Sequence, residues 1–259
     1  MMKKHYLVIL VLSIALAALA KESQLSVSAN TMSMDYTEFN LDGSFADSEK
    51  TDALAGFSLN YTTRINHGLD GEDAFLDIDF SRYQGNTRYD GFYLRTGLPA
   101  NNLTTNNTIT DSSIGYSETR KLDQALWSVR LGIGYRLWER ELADGHNEQY
   151  SWTYGSVSTG ISGNIFPTDN IGIFAEYHRA IYPKIKSNIF GTFDLGRTDG
   201  YNISIPWIHT ITPSWALKLV YTYQTWDIEK SNTLYGGTVW EPRSESHFNI
   251  FNAALMYYY

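Results

Sequence analysis

Apolar and polar residues alternate with a period of two along most of the chain. Between Leu54 and Ile65, for example, Phe57 and Leu59 share one parity while polar residues occupy the other. Such alternation predicts β-strands with one buried face, separated by connectors rich in Gly, Asn and charged residues. Ten strands are predicted, at about 25–40, 54–65, 74–83, 114–120, 127–138, 150–165, 171–178, 201–208, 215–224 and 246–259.

The first strand changes its apolar parity partway along. Its apolar residues are odd-numbered at Leu25 and Val27 and even-numbered at Met32 and Met34. One extra residue in a strand moves every later side chain to the opposite face. A β-bulge near Asn30 is therefore predicted.

Connector length alternates along the chain. Short turns are predicted near 66–72, 121–124, 166–170 and 209–214, and long loops near 41–52, 84–113, 139–149, 183–200 and 227–245. Short turns at one end and long loops at the other are typical of an antiparallel transmembrane β-barrel. A secreted β-sandwich, the competing class, has no reason to alternate in this way. Eight strands, with 84–120 as one giant loop, is the alternative count.

The last strand ends on an aromatic residue. One of its faces carries Phe251, Leu255, Tyr257 and Tyr259. In a barrel the final strand must pair with the first, because an open sheet edge is not tolerated in lipid. We therefore expect this face to meet lipid and the strand to pair with the one that begins near Leu25. These four side chains are the predicted assembly signal.

The N-terminus has the pattern of a signal peptide. Lys3 and Lys4 precede an apolar run of about fifteen residues that ends in Ala18-Leu19-Ala20. A membrane-spanning helix needs about 20 residues, so an uncleaved anchor is the less favoured reading. We predict a signal peptide at 1–20, cleaved before Lys21, and one barrel domain at 21–259.

Composition narrows the class further. The net charge of −8 gives no support to nucleic-acid binding, and without cysteine there is no disulfide framework or thiolate metal site. No later run of 18 apolar residues occurs, which argues against a helical membrane protein. The 19 Tyr and 7 Trp suit a membrane interface, because their rings are apolar and their edges polar.

The signal motif, the alternating strands and Tyr257-Tyr258-Tyr259 together resemble the small outer-membrane β-barrel proteins of Gram-negative bacteria, the OmpA-like and porin-like barrels. The resemblance covers the mature chain as architecture. It implies an outer-membrane location, contact with membrane lipid and lipopolysaccharide, and insertion by the barrel-assembly machinery. It implies no activity.

Charged residues of the inward parity are expected to form a polar network in the lumen. Asp77 and Asp79 cannot both face lipid, so their parity identifies the interior. The predicted network comprises Arg64, Asp77, Asp79, Arg130, Arg136, Glu176, His178 and Lys218. A barrel of eight to ten strands is narrow enough for side chains to fill, which predicts a structural or surface-interaction protein. A narrow channel for small solutes is the alternative.

An outer-membrane hydrolase is the third hypothesis. His67 and His209 fall at predicted periplasmic turns, whereas His146 and His247 fall in or beside outer loops. Near these two lie the acidic residues Asp144, Glu148, Glu241 and Glu245. No protease or acylase motif occurs, and the histidines lack metal-ligand spacing. No catalytic residue, metal or cofactor is predicted.

Overall fold

The computed structural model describes residues 22–67, 73–92, 98–142, 145–234, 237 and 239–259. The predicted signal peptide lies outside them. The described residues form eleven strands: β1 (Ser23–Phe39), β2 (Phe45–His67), β3 (Asp73–Phe92), β4 (Pro99–Leu122), β5 (Ala125–Leu142), β6 (Asn147–Phe166), β7 (Asp169–Ser187), β8 (Gly191–Asp194), β9 (Thr198–Thr212), β10 (Trp215–Ile228) and β11 (Arg243–Tyr258). Among these residues, no helix has the length and apolar character needed to cross a membrane.

Ten of the strands close into an antiparallel ring. The order is β6-β5-β4-β3-β2-β1-β11-β10-β9-β7, and β6 pairs with β7 to complete it. The short β8 pairs only with the end of β7, outside the ring. The ten-stranded antiparallel barrel is therefore confirmed. The eight-stranded alternative is wrong, because β3 and β4 pair from Asp73↔Thr119 to Phe92↔Pro99.

The first and last strands close the barrel as expected. Their register runs without a break from Gln24↔Tyr258 to Phe39↔Arg243. Two further backbone hydrogen bonds, both 3.0 Å long, join Ser23 and Tyr259 in each direction. This pairing leaves neither strand with an open edge along the seam.

The two ends of the barrel differ. At the end that we call the turn end, the two-residue turns 123–124, 167–168 and 213–214 join successive strands. At the other end, the loop end, the connections include 40–44 and 229–242. The predicted turn at 66–72 lies mostly outside the described residues.

Four of the five long loops were predicted wrongly over most of their length, whereas strands take only the ends of 227–245. β2, β4 and β5 continue through much of 41–52, 84–113 and 139–149, and β7, β9, β10 and β11 shorten the other two loops. In these extensions many outward residues are polar, as at Asn106 and Asn86, so the sequence has a loop-like composition although the backbone remains paired.

A band of exposed apolar side chains surrounds the half of the barrel nearer the turn end. It includes Leu25, Val27, Phe57, Ile114, Leu131, Ile133, Val157, Ile161, Ile173, Ile203, Ile205, Leu219, Phe251 and Leu255. On the last strand the band runs from Phe251 to Tyr259, about nine residues, which is the length that a tilted strand needs to cross a bilayer.

The interior has the opposite pattern. Inside the apolar band, β1 points Ser26 and Ser28 inward, and beyond the band it points Met32, Met34 and Tyr36 inward. Burial alternates strictly from Leu25 to Phe39, so the predicted bulge near Asn30 is wrong. Apolar residues of β1 change from odd to even positions because its apolar surroundings are outside the barrel within the band and inside the barrel beyond it. The irregular pairing of β1 with β2 lies later, between Met32 and Met34.

Candidate functional site

An aromatic-rich core fills the lumen of the loop-end half. We call it the plug; it contains Met32, Met34, Tyr36, Leu54, Tyr83, Ile109, Trp138, Tyr150, Trp152, Tyr154, Ala180, Ile185, Phe193, Leu195, Trp226, Ile228, Phe248 and Ile250. Most strands of the ring contribute to it. The side chains therefore meet in the middle of the barrel instead of lining an open bore.

Ring contacts span the barrel at this level. Trp138 on β5 and Phe248 on β11 have centroids 6.5 Å apart, although their strands lie five positions apart in the ten-stranded ring. Trp138 also stacks on Tyr150 at 5.1 Å, and Trp152 packs on Trp226 at 5.0 Å. The first contact joins opposite walls, whereas Trp138 and Tyr150 lie on neighbouring strands and Trp152 and Trp226 lie three strands apart.

Arg140 lies within the plug with only 2% of its side chain exposed. Its Nε donates to Glu49 at 2.9 Å, and its Nη1 donates to Glu148 at 2.7 Å. The guanidinium also lies over the ring of Tyr36, 4.6 Å from the centroid. A buried cation needs such pairing, since desolvation alone would make its burial costly.

Glu49 on β2 links Arg140 on β5 to the two strands that lie between them. Its carboxylate accepts hydrogen bonds from Thr87 at 2.8 Å and from Asn107 at 3.2 Å. Asn107 in turn accepts one from the indole of Trp138 at 2.6 Å. The buried charges are thus tied to the rings of the plug.

Above Arg140, at the loop end, lies a cavity of about 330 Å³, which we call the loop-end cavity. Four carboxyl groups line it together with Arg140 and His146: those of Glu38, Asp47, Glu148 and Glu241. Glu38 and Asp47 are directly opposed across β1 and β2. Like charges so placed repel one another.

Asp47 and Glu241, two acidic side chains of this cavity, have raised pKa values. Burial, followed by the charge of Glu38, raises the pKa of Asp47 well above its usual range. Burial, followed by the charges of Glu38 and Glu148, does the same for Glu241, which accepts a hydrogen bond from the hydroxyl of Tyr150. Burial and neighbouring negative charges therefore oppose the ionisation of these carboxyl groups.

His146 lies in the same cavity. Its Nε2 is 2.9 Å from the hydroxyl oxygen of Ser187 and 3.4 Å from the carboxylate of Glu148. The backbone N–H groups of Ile189 and Phe190 also donate to that hydroxyl. In a Ser–His–acid relay the acid and the serine contact different ring nitrogens, whereas here both approach the same one.

The other histidines lie elsewhere. His247 is on the outer wall, 3.0 Å from the hydroxyl of Tyr223, and His209 is near the turn end, 3.1 Å from Asp169. His67 ends β2, in register with Asp73. Asp144, named from the sequence beside His146, lies outside the described residues.

A second cavity, of about 1110 Å³, occupies the turn-end half of the lumen and is lined mainly by Ser, Thr, Asn and charged residues. Arg130 lies at its wall, 3.7 Å from Asp77, 3.1 Å from Asp79 and 3.3 Å from Glu176. Lys218 lines the same cavity. One arginine therefore gathers three carboxylates at the wall of a polar cavity.

The remaining residues of the predicted lumen network take other positions. His178 is 3.4 Å from Glu176, between the cavity and the plug ring of Trp226. Arg136 lies higher, paired with Asp111 at 3.4 Å and with Gln224 at 3.0 Å. Arg64 lies at the turn end, where it pairs with Glu22 and Asp73. The structure thus brings six of the eight residues together and separates Arg64 and Arg136 from them.

Sequence reasoning missed Glu38, Asp47, Glu49 and Arg140, because Asp47, Glu49 and Arg140 fell in predicted loops. One signal could have found Glu38. Tyr36 and Glu38 continue the even-numbered parity of Met32 and Met34, which points them inward. As for metals, the residues with described positions contain no group of three His, Asp or Glu side chains that could hold an ion.

No family model matches the chain, and no curated protein matches its sequence. Its structure is similar to that of the outer membrane protease OmpT of Escherichia coli, with a TM-score of 0.61 and 8% identity over 93% of this chain and 98% of that one. An outer-membrane channel of Pseudomonas putida and the outer membrane protein OprG of Pseudomonas aeruginosa, each 9% identical, align over 93% of this chain and 96% of theirs, with TM-scores of 0.47 and 0.42. At these identities the likeness concerns the fold alone. The chain has the fold of an outer-membrane β-barrel.

Proposed function

We propose that this chain is an integral outer-membrane protein that is closed to through-passage and exposes its loop end outside the cell as an interaction surface. The contact of Trp138 with Phe248 across the lumen carries the proposal, because it places ring against ring where a channel would need water. A hydrated pore of useful size has no room beside such a plug.

The apolar band supports the location. It is about as tall as the hydrocarbon core, and it surrounds the half of the barrel whose interior is polar. Beyond it, the outward residues of β1 are Ser33, Asp35 and Thr37, which suit water. The turn end then faces the periplasm. Membrane lipid, lipopolysaccharide and the barrel-assembly machinery are the partners that this location implies.

The solute-channel hypothesis is supported only in the turn-end half, where the 1110 Å³ cavity gives room for water. For the hydrolase hypothesis, the sharing of one His146 nitrogen by Ser187 and Glu148 gives little support. Neither arrangement favours transport or hydrolysis over a closed, surface-exposed barrel.

Three measurements test the proposal. Protein refolded into lipid vesicles should migrate faster on a detergent gel than its boiled form. On intact cells, cysteines introduced at Tyr182 or Asp42 should react with a membrane-impermeant thiol reagent. Reaction only after the outer membrane is opened would contradict the proposed orientation. A stable conducting state in planar bilayers would contradict closure.

A further inference from the structure

We propose that the loop-end cavity binds a small organic cation, an alkylammonium or guanidinium group. The inference deepens the proposed function and rests on it for the access of the cavity to the outside. Four carboxyl groups line the cavity, from Glu38, Asp47, Glu148 and Glu241. Arg140, the arginine among them, is already paired with Glu38, Glu49 and Glu148.

The four carboxyl groups that line the cavity outnumber its basic side chains, which are those of Arg140 and His146. Glu38 and Asp47 are register partners on adjacent strands, and Glu241 faces the same space. A cation between such carboxylates would turn mutual repulsion into attraction, and the low local dielectric would strengthen the effect.

A second feature points to a ligand. Thr105 lines the cavity with none of its surface exposed. Within the described part of the chain, its hydroxyl has no hydrogen-bond partner, and neither has one buried oxygen of Asp47. Buried polar atoms are nearly always satisfied, so both atoms are suited to the N–H donors of a bound molecule.

The walls and size favour an organic cation over a metal ion. Tyr89, Phe92 and Trp240 line the cavity, and aromatic faces attract ammonium and guanidinium groups. Described carboxylates and histidines form no metal-binding group of three. The volume of about 330 Å³ is at the small end of ligand sites. A linear amine of a few carbons fits these conditions.

The test is titration of the refolded full chain with agmatine, which carries a guanidinium and an ammonium group, followed by calorimetry and by tryptophan fluorescence. We expect saturable binding of one agmatine that weakens with added salt. Asp47→Asn and Glu241→Gln should each weaken it about tenfold, since each removes a charge-assisted contact. Thr105→Val should weaken it about threefold. Asp35→Asn, a carboxyl on the outer wall that pairs with Lys50, is the matched control and should bind normally.

Two further titrations complete the design. Titration with an acetylated, amidated Gly-Arg-Gly peptide shows whether the cation can be the guanidinium of a peptide as well as a free amine. Binding of either probe that depends on Asp47 and Glu241 supports the site. Equal affinity for neutral 1,6-hexanediol, unchanged affinity in both carboxamide variants, or no binding of either cation would overturn it. Detergent-gel mobility shows that each variant has folded. Because binding is measured on isolated protein, its failure is distinguishable from failure of the proposed closure or orientation.

Discussion

Trp138 and Phe248 belong to strands on opposite sides of the ten-stranded ring, yet their ring centroids are 6.5 Å apart. Both side chains are about 1% exposed. A barrel whose opposite walls touch through aromatic rings is held by an internal core as well as by its strand pairing. Its loop-end half is consequently organised like a soluble protein, with apolar residues inside and polar residues outside.

Trp138→Ala tests the plug as a source of stability. Truncating a buried Trp removes its contacts and leaves a cavity, so we expect a loss of about 3–5 kcal/mol in the free energy of unfolding. Trp127, which is 41% exposed in the apolar band, provides the control, and Trp127→Ala should lose less than about 1.5 kcal/mol. Denaturant titration in lipid vesicles measures both variants. Equal losses would contradict a packed plug.

Arg140→Met removes the buried cation while keeping much of its length. Glu49, which is fully buried, and Glu148 would lose their partner, so the free energy of unfolding should fall by about 3–5 kcal/mol. Adding Glu49→Gln should recover part of the loss, because it removes one stranded charge. Arg88→Met, at an exposed arginine paired with Asp90, should have almost no effect. A double variant no more stable than Arg140→Met would contradict the pairing.

Stability should depend on pH through Asp47. Burial and the neighbouring Glu38 raise the pKa of Asp47 in the folded chain. A raised folded pKa stabilises the protein below the ordinary carboxyl pKa of about 4, and the contribution is lost as pH rises through the raised value. Asp47→Asn should therefore gain stability relative to the unsubstituted protein at pH 8 and less at pH 5. Thermal unfolding at both pH values measures this difference. The same gain at both pH values would count against it.

Removal of Tyr259 tests the closing seam. The residue exchanges two backbone hydrogen bonds with Ser23, and its ring stacks on Tyr257 at 5.7 Å. Without it the terminal pair of the seam is open to lipid, so refolding into vesicles should slow and less of the fast-migrating form should accumulate. Tyr182→Ala, at a side chain that is 84% exposed, should refold normally. Equal refolding of both variants would show that Tyr259 has no part in assembly.

The strands inside the apolar band could be predicted from the sequence because their outer face contacts an apolar medium and their inner face a polar one. Phe251, Leu255 and Tyr257 alternate with residues of the lumen, so period-two reasoning identified the strand and its pairing with β1. Charges at Asp77 and Asp79 identified the interior side for the same reason. The alternation of apolar and polar residues thus predicted both the lipid-facing and the lumen-facing side of these strands.

Beyond the apolar band, apolar residues face the lumen and polar residues face outward. For this reason the loop-end half could not be predicted in the same way. Met32 and Met34 face inward without a change of burial parity in β1, because apolar surroundings there lie inside the barrel. Asn107 is fully buried through its contacts with Glu49 and Trp138, residues distant in sequence, so its Asn- and Thr-rich segment resembled a loop. A hydrogen-bond network that joins three strands produces no pattern within any one segment of the sequence.

The conductance of the refolded protein in a planar bilayer is the most direct test of the central claim. We expect inserted, folded barrels to show no stable open state, because Trp138, Phe248 and their neighbours fill the lumen from wall to wall. Trp138→Gly combined with Phe248→Ala should introduce measurable current if that variant remains folded. A stable open state in the unsubstituted protein would contradict the account.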